Sequence, residues 1–444
     1  MWWILAACDS EPGPSAVTLD DVTLVWSEAM PTVARITFTT DVDVRSAVRV
    51  EGAAGEAWET GWEVTPGRDH AIVVAGMGPE SEWTFTPVVE VDGEVIESHP
   101  LTGTSGAVAG LSKARPEVVG AMKSVPFVLQ GLLGRDTSSV IFNAAGEEVW
   151  ASPNETDATL VRPRLSWDGT TVISASFGEQ AAGAPGEELF RITLEGEALG
   201  TIPTPDAHHD FTQSPDGFVY IATDARNLEP YGKVYGDRLV EVDADGNVLR
   251  TVWDTWDQWT CDGVFSDDGF YKDGNDWTHV NSVEYLPERD QFMVSVHNFH
   301  TVLFLDRESG TLVEQIGGAD SDYTLTSGTA FQEFHSPELV GDVLSVFDNT
   351  IADTSSVRSY QIDGQAKTYA ELSSTPNPAE TYVAFLGDVA RAEDGTRLAS
   401  WGQSGLLTET DPSGAPTFTA TLPMGNAFGF FVPLPILGGP APAD

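Results

Sequence analysis

The chain has 444 residues, and its 22 Lys and Arg stand against 68 Asp and Glu, a formal net charge of −46. A surface of that sign repels phosphate backbones and anionic leaflets, which excludes nucleic-acid partners and electrostatic adhesion to membranes. Hydrophobic residues at 41% and aromatics at 10% suffice for packed cores despite that charge, while 43 Gly and 27 Pro argue against a helical bundle.

The first predicted element is not structural. Residues 1–17 open on Trp2-Trp3-Ile4-Leu5-Ala6-Ala7-Cys8, followed by an acidic, Pro-containing stretch. Leu5-Ala6-Ala7-Cys8 resembles the lipobox of bacterial lipoproteins, which implies lipidation of Cys8, a tether, and a location in the bacterial cell envelope as a periplasmic or surface lipoprotein. The apolar run is shorter than a signal peptide's and lacks a preceding Lys or Arg. The only membrane link expected is this anchor, because no other run approaches the roughly 18 apolar residues of a spanning helix.

Residues 18–104 alternate apolar and polar positions in six or seven short segments separated by Gly, Pro and Asp. That pattern predicts a fibronectin-III-like β-sandwich, with His70 and His99 as ordinary strand residues. Residues 105–124 are expected to be a linker and 437–444 a disordered tail. Between them, 125–436 repeat a strand–turn–strand unit. Its turns include Asp168-Gly169, Asp216-Gly217, Asp245-Gly246 and Asp394-Gly395. Six inner strands begin near Phe127, Arg162, His208, His279, Phe334 and Gly387. Their spacing of roughly 35–70 residues suits four-stranded propeller blades. The expected fold is all-β: a small N-terminal β-sandwich followed by a six-bladed β-propeller. Residues 427–432 are expected to supply the strand that closes the first blade.

Six of the eight histidines lie between 208 and 335. Counted back from each blade's first turn, His209, Asn281 and His335 fall at equivalent points of inner strands, facing the axis. His279 lies two residues before Asn281, on the same side by the period of a strand. Adjacent His208 and His209 are expected on opposite faces. A ring of imidazoles suits metal binding or nucleophilic and acid–base chemistry on an anion. No HxH or HExxH spacing supports a metal, and no CxxC exists, since the cysteines are Cys8 and Cys261 alone. The Trp-rich stretch 253–277 reads as a long loop, either a lid or inter-blade packing.

Asp276-Trp277-Thr278-His279-Val280-Asn281-Ser282 resembles the D-W-x-H-x-N-S signature of bacterial arylsulfate sulfotransferases. Phe334-His335 with Phe347-Asp348-Asn349, and His208-His209-Asp210-Phe211, resemble further segments of that family. The resemblance implies ping-pong transfer of a sulfuryl group from a small aryl sulfate to a phenolic acceptor, with no cofactor and no metal. His335 would become a sulfohistidine. His279, His209 and His208 would move protons, and Asn281 would bind a sulfuryl oxygen. The family's Arg in the following strand is replaced by His297, and Arg162 and Arg164 are candidates to compensate for the lost charge. Two other readings stand beside this one: a catalytically inactive propeller lipoprotein that binds a ligand or partner, and a metal-dependent propeller enzyme.

Overall fold

The computed structural model describes residues 17–108, 115–133, 138–152, 160–176, 187–266, 270–350 and 354–440. Cys8 and the tether lie outside them. The N-terminal unit is built around one long strand, Ala34–Gly52. Its first half alternates buried Ala34, Ile36 and Phe38 with half-buried Arg35 and Thr37, the signature of a strand with one face on a core. That half pairs with Leu19–Trp26 and Gly67–Val74. After a register break between Thr39 and Val44, the second half pairs with Glu82–Val91 and Ala57–Glu59. The strand therefore changes sheets at the break, and Ile36, Phe38, Val48, Val50, Ile72 and Phe85 fill the space between.

Six blades follow, each with four antiparallel strands, and blades three, five and six carry a fifth. From the axis outward, the first is Ala427–Leu434, Phe127–Leu133, Ser138–Asn143 and Glu148–Ala151. The inner strands of blades two to six are Leu160–Leu165, Ala207–Ser214, Val280–Leu286, Phe334–Val340 and Asp388–Arg391. Second strands such as Thr171–Ser176 are buried along their whole length, because a neighbouring blade covers each face. Every adjacent pair of blades shares an apolar cluster. Blades three and four, for example, meet through Val219, Ile221, Leu239, Val283 and Val294.

The ring closes twice. Ala427–Leu434 is the innermost strand of blade one and pairs with Phe127–Leu133, as expected for the closing segment. The strand at Phe127 is consequently second from the axis and not innermost. The second clasp was not foreseen: Glu117–Gly120, within the expected linker, pairs with Pro416–Thr421 as a fifth outer strand of blade six. The tail expectation is corrected as well. Gly438–Pro440 pairs with Gly67–Val74 of the sandwich, because Leu437 is fully buried and carries the chain back into the shared core. That core joins Met30, Val33 and Val73 of the sandwich to Phe127, Ile141 and Trp150 of the propeller, so the two units pack as one body. No helix among the described residues is long and apolar enough to cross a membrane.

Candidate active site

At one end of the axis lies a cavity of ≈ 1310 Å³. His208, His209, His279, His297, His300 and His335 all line it. Local backbone geometry brings them there. The inner strands of blades three, four and five each carry a register irregularity near their first residues: between Ala207 and Phe211, Val280 and Ser282, and His335 and Glu338. A bulge re-aims side chains that a regular strand would send elsewhere. His209 (φ 59°), His279 (φ 52°) and Ser336 (φ 44°) adopt the left-handed conformation at these points, a strained choice for non-glycine residues that clusters at functional sites.

The imidazole rings are in mutual contact. Ring centres of His209 and His279 are 4.9 Å apart, those of His279 and His297 4.8 Å, and those of His297 and His335 5.6 Å. Phe270, from the Trp-rich loop, packs on His209 at 4.7 Å and His279 at 4.6 Å. The described residues of that loop contribute both to the cavity wall and to the packing between blades. Phe270 and Trp259 face the cavity, while Trp256 packs on buried Trp277 between blades. The loop's Cys261 is a free, half-buried thiol. Burial, reinforced by four neighbouring imidazoles with His279 foremost, holds the pKa of His209 well below the ordinary 6.5. Burial likewise lowers that of His300.

Hydrogen-bond partners assign the tautomers. Asn349 donates through Nδ2 to the carbonyls of Val383 (2.8 Å) and Leu386 (3.0 Å), which leaves Oδ1 as its acceptor. His335 Nδ1 lies 2.8 Å from that oxygen and must donate to it. The lone pair of neutral His335 is thereby placed on Nε2. The same reasoning applies to His297. Asn298 donates to the Asp276 carbonyl, so its Oδ1, 2.9 Å from His297 Nδ1, accepts. Carboxylates orient two more rings: His279 Nδ1 is 2.6 Å from Asp276, and His208 Nε2 is 3.0 Å from Asp237. Burial works to raise the pKa of Asp237, but hydrogen bonds from His208, Thr278 and the Val280 amide hold it below the ordinary value.

Several sequence expectations are corrected. His208 and His209 do not diverge; the left-handed turn at His209 brings their Nδ1 atoms to 2.8 Å. Asn281 does not share a face with His279, because the bulge at Val280 intervenes. It is fully buried, donates to the Phe334 carbonyl at 2.8 Å and accepts from Ser295 Oγ. It positions the residue before His335 and does not line the cavity. Arg162 and Arg164 do not line it either. Arg162 forks onto Asp210 (2.7 and 3.0 Å) and reaches Asp388 (3.0 Å). Arg164 holds Glu284 (2.6 Å) and Asp210. These pairs stitch inner strands together, and both guanidiniums are already committed to carboxylates. Neither replaces the missing family Arg, and no Arg or Lys lines the cavity among the described residues. Sequence reasoning assigned no role to Asn349, Asp237, Asp276 or Phe270. Asp276 and Asn349 stood inside the recognised motifs, but their partners are set by strand pairing. Among the described residues no group of three or more His, Cys, Asp and Glu is arranged to hold a metal.

The profile of the family described as arylsulfotransferase (ASST) matches residues 133–421. The chain belongs to the arylsulfotransferase family. The match spans the four-stranded cores of blades two to six and the two outer strands of the first, and contains every histidine of the cavity. As an arylsulfotransferase the protein is a sulfotransferase enzyme, and its family implies an aryl sulfate donor and a phenol acceptor. Among curated proteins none matches the chain. Similar solved structures include a protein of unknown function from Bacteroides caccae, with 13% identity and a TM-score of 0.42, covering 69% of this chain and 98% of that one. Another is the periplasmic gluconolactonase of Pseudomonas aeruginosa, with 14% identity and a TM-score of 0.39, covering 69% of this chain and 99% of that one.

Proposed function

We propose that the enzyme transfers a sulfuryl group by a ping-pong mechanism through a sulfohistidine at His335. The observation that carries this reading is the Asn349–His335 contact, which places the imidazole lone pair on Nε2 of a ring lining the cavity. In the first half-reaction Nε2 forms a bond to sulfur while the S–O(aryl) bond breaks. The electron pair of that bond goes to the aryl oxygen, which takes a proton from His279 and leaves as the phenol. In the second, an acceptor phenol returns a proton to His279 as its oxygen attacks sulfur, and His335 is freed. The aromatic walls, among them Trp259, Phe270, Phe299 and Phe331, suit a flat aryl group. Stabilisation of the sulfuryl oxygens falls to protonated imidazoles, because no Arg or Lys lines the cavity among the described residues. His297 takes the place of a permanent cation there and supports sulfate only when protonated.

The test is release of 4-nitrophenol from 4-nitrophenyl sulfate with and without added phenol. The expected result is phenol-dependent turnover, a sulfo adduct on His335 when acceptor is withheld, and loss of both in His335→Ala. A folded protein that binds the donor but never forms the adduct would overturn the reading in favour of a binding module. An envelope location through lipidated Cys8 is a second part of the proposal. Metabolic labelling with a fatty-acid probe should mark the wild type and leave Cys8→Ala unmarked.

A further inference from the structure

The imidazoles of blades three and four form a chain that ends in a carboxylate at each side. Asp237 Oδ1 contacts His208 Nε2 (3.0 Å), His208 Nδ1 contacts His209 Nδ1 (2.8 Å), His209 Nε2 contacts His279 Nε2 (3.3 Å), and His279 Nδ1 contacts Asp276 (2.6 Å). Ionised carboxylates accept only, so the outer atoms His208 Nε2 and His279 Nδ1 must both carry hydrogen. His208 Nδ1 then accepts, and His209 Nδ1 must donate to it. The lone pair of His209 is left on Nε2, facing His279 Nε2. Four contacts thus require four protons, and three neutral imidazoles supply three.

We propose that His208, His209 and His279, closed by Asp237 and Asp276, store one proton beyond neutrality, and that this proton is the one the departing aryloxide receives. It resides on His279. That ring faces Asp276, whereas burial and the neighbouring imidazoles, with His279 first among them, keep His209 neutral. Among the described residues, the groups facing His279 include Asp276 and His297 from its own blade and its lead-in, His209 from blade three, and Phe270 from the loop. His208 and Asp237 are then positioning residues. They fix the tautomer of His209, which in turn obliges His279 to hold the proton. Asp237 also accepts from Thr278 and from the Val280 amide (2.8 Å), so it joins the two blades at the same point. The kinetic part of this inference rests on the sulfuryl-transfer reading; the proton count does not.

The chain makes a specific prediction for Asp237→Asn. The amide can keep the Thr278 and Val280 contacts through its oxygen and offer its NH₂ to His208 Nε2. Every tautomer to the His209–His279 contact then reverses, and three neutral imidazoles satisfy all contacts. The full-length protein labelled with ¹⁵N-histidine should show one imidazolium, protonated at both nitrogens, persisting at pH 8. Asp237→Asn and His208→Phe should both lose it while remaining folded by circular dichroism. In single-turnover sulfation both variants should slow phenyl sulfate by about a hundredfold, the scale of general acid catalysis. They should slow 4-nitrophenyl sulfate, whose leaving oxygen needs little protonation, far less. Equal slowing of both donors would reveal a merely structural role, and no imidazolium at pH 8 in the wild type would overturn the stored proton. Stoichiometric bound metal bridging His209 and His279 would overturn it as well. If no aryl sulfate is turned over, the sulfuryl-transfer reading fails, and the ¹⁵N spectra still decide the proton count.

Discussion

Asn349 shows how one amide can decide the reactivity of a ring it merely touches. Its two donated hydrogen bonds leave no freedom in how it presents Oδ1 to His335. Asn349→Ala removes that acceptor, so His335 can place its proton on Nε2, where it blocks the attacking lone pair. We expect kcat to fall by about 10²–10⁴, the range seen when a catalytic imidazole loses its base role or its tautomer, with KM little changed; burst kinetics with 4-nitrophenyl sulfate would measure it. His297 supports a second expectation. Its Nδ1 hydrogen is committed to Asn298, so neutral His297 turns a lone pair, not a donor, toward the sulfate. KM for aryl sulfates should therefore rise with pH as His297 loses its proton. His297→Arg, charged at all these pH values, should flatten that rise. A wild-type KM that does not change with pH would defeat the idea.

The bulges and the clasps are the elements on which the site depends. Without irregularities at the heads of three inner strands, His209, His279 and His335 would follow the regular alternation and could not converge. Those strands hold their places only while the ring is closed, and closure rests on Ala427–Leu434, with Phe428, Phe430 and Phe431 buried. Phe428→Ala leaves a cavity between blades one and six and should cost about 3–5 kcal/mol. Truncation before Gly425 removes the innermost strand of blade one altogether. Thermal unfolding of both variants should show the midpoint drop, and an unchanged midpoint after truncation would mean that the ring closes without this strand.

For the whole molecule, shared cores between every pair of blades and between propeller and sandwich predict a single unfolding transition. Its pH dependence carries the mark of His209. The folded chain keeps this ring neutral, whereas the unfolded chain protonates it near its ordinary 6.5. Its contribution to stability is thus whole above about pH 6.5 and is lost as pH falls below that value. His209→Gln should show a shallower loss of melting temperature than the wild type between pH 7.5 and 5.5. A parallel decline would place the acid sensitivity elsewhere. The charge of −46 acts separately, by repulsion that salt screens.

Strand periodicity, Asp-Gly turns and repeat length made the sandwich and the six blades legible from the sequence, because each reflects local backbone preference and the burial of one face. The candidate histidines were legible too, through their register and their motifs. The partners of those histidines were not, because they belong to other strands. The sequence placed Asn281 and His279 on one face by counting in twos, and the bulge between them, a tertiary compromise, sent them apart. It left Arg162 and Arg164 open as sulfate ligands, and only the meeting of inner strands at the axis showed them bound to Asp210, Asp388 and Glu284. The clasp at Glu117–Gly120 and the return of Gly438–Pro440 to the sandwich lack any strong pattern of their own. Short strands at an edge are selected by the partner that awaits them. Which residue types stand at the heads of the inner strands is written in the chain itself; which of them face the axis, and which nitrogen carries the proton, were decided by neighbours that only the closed ring brings together.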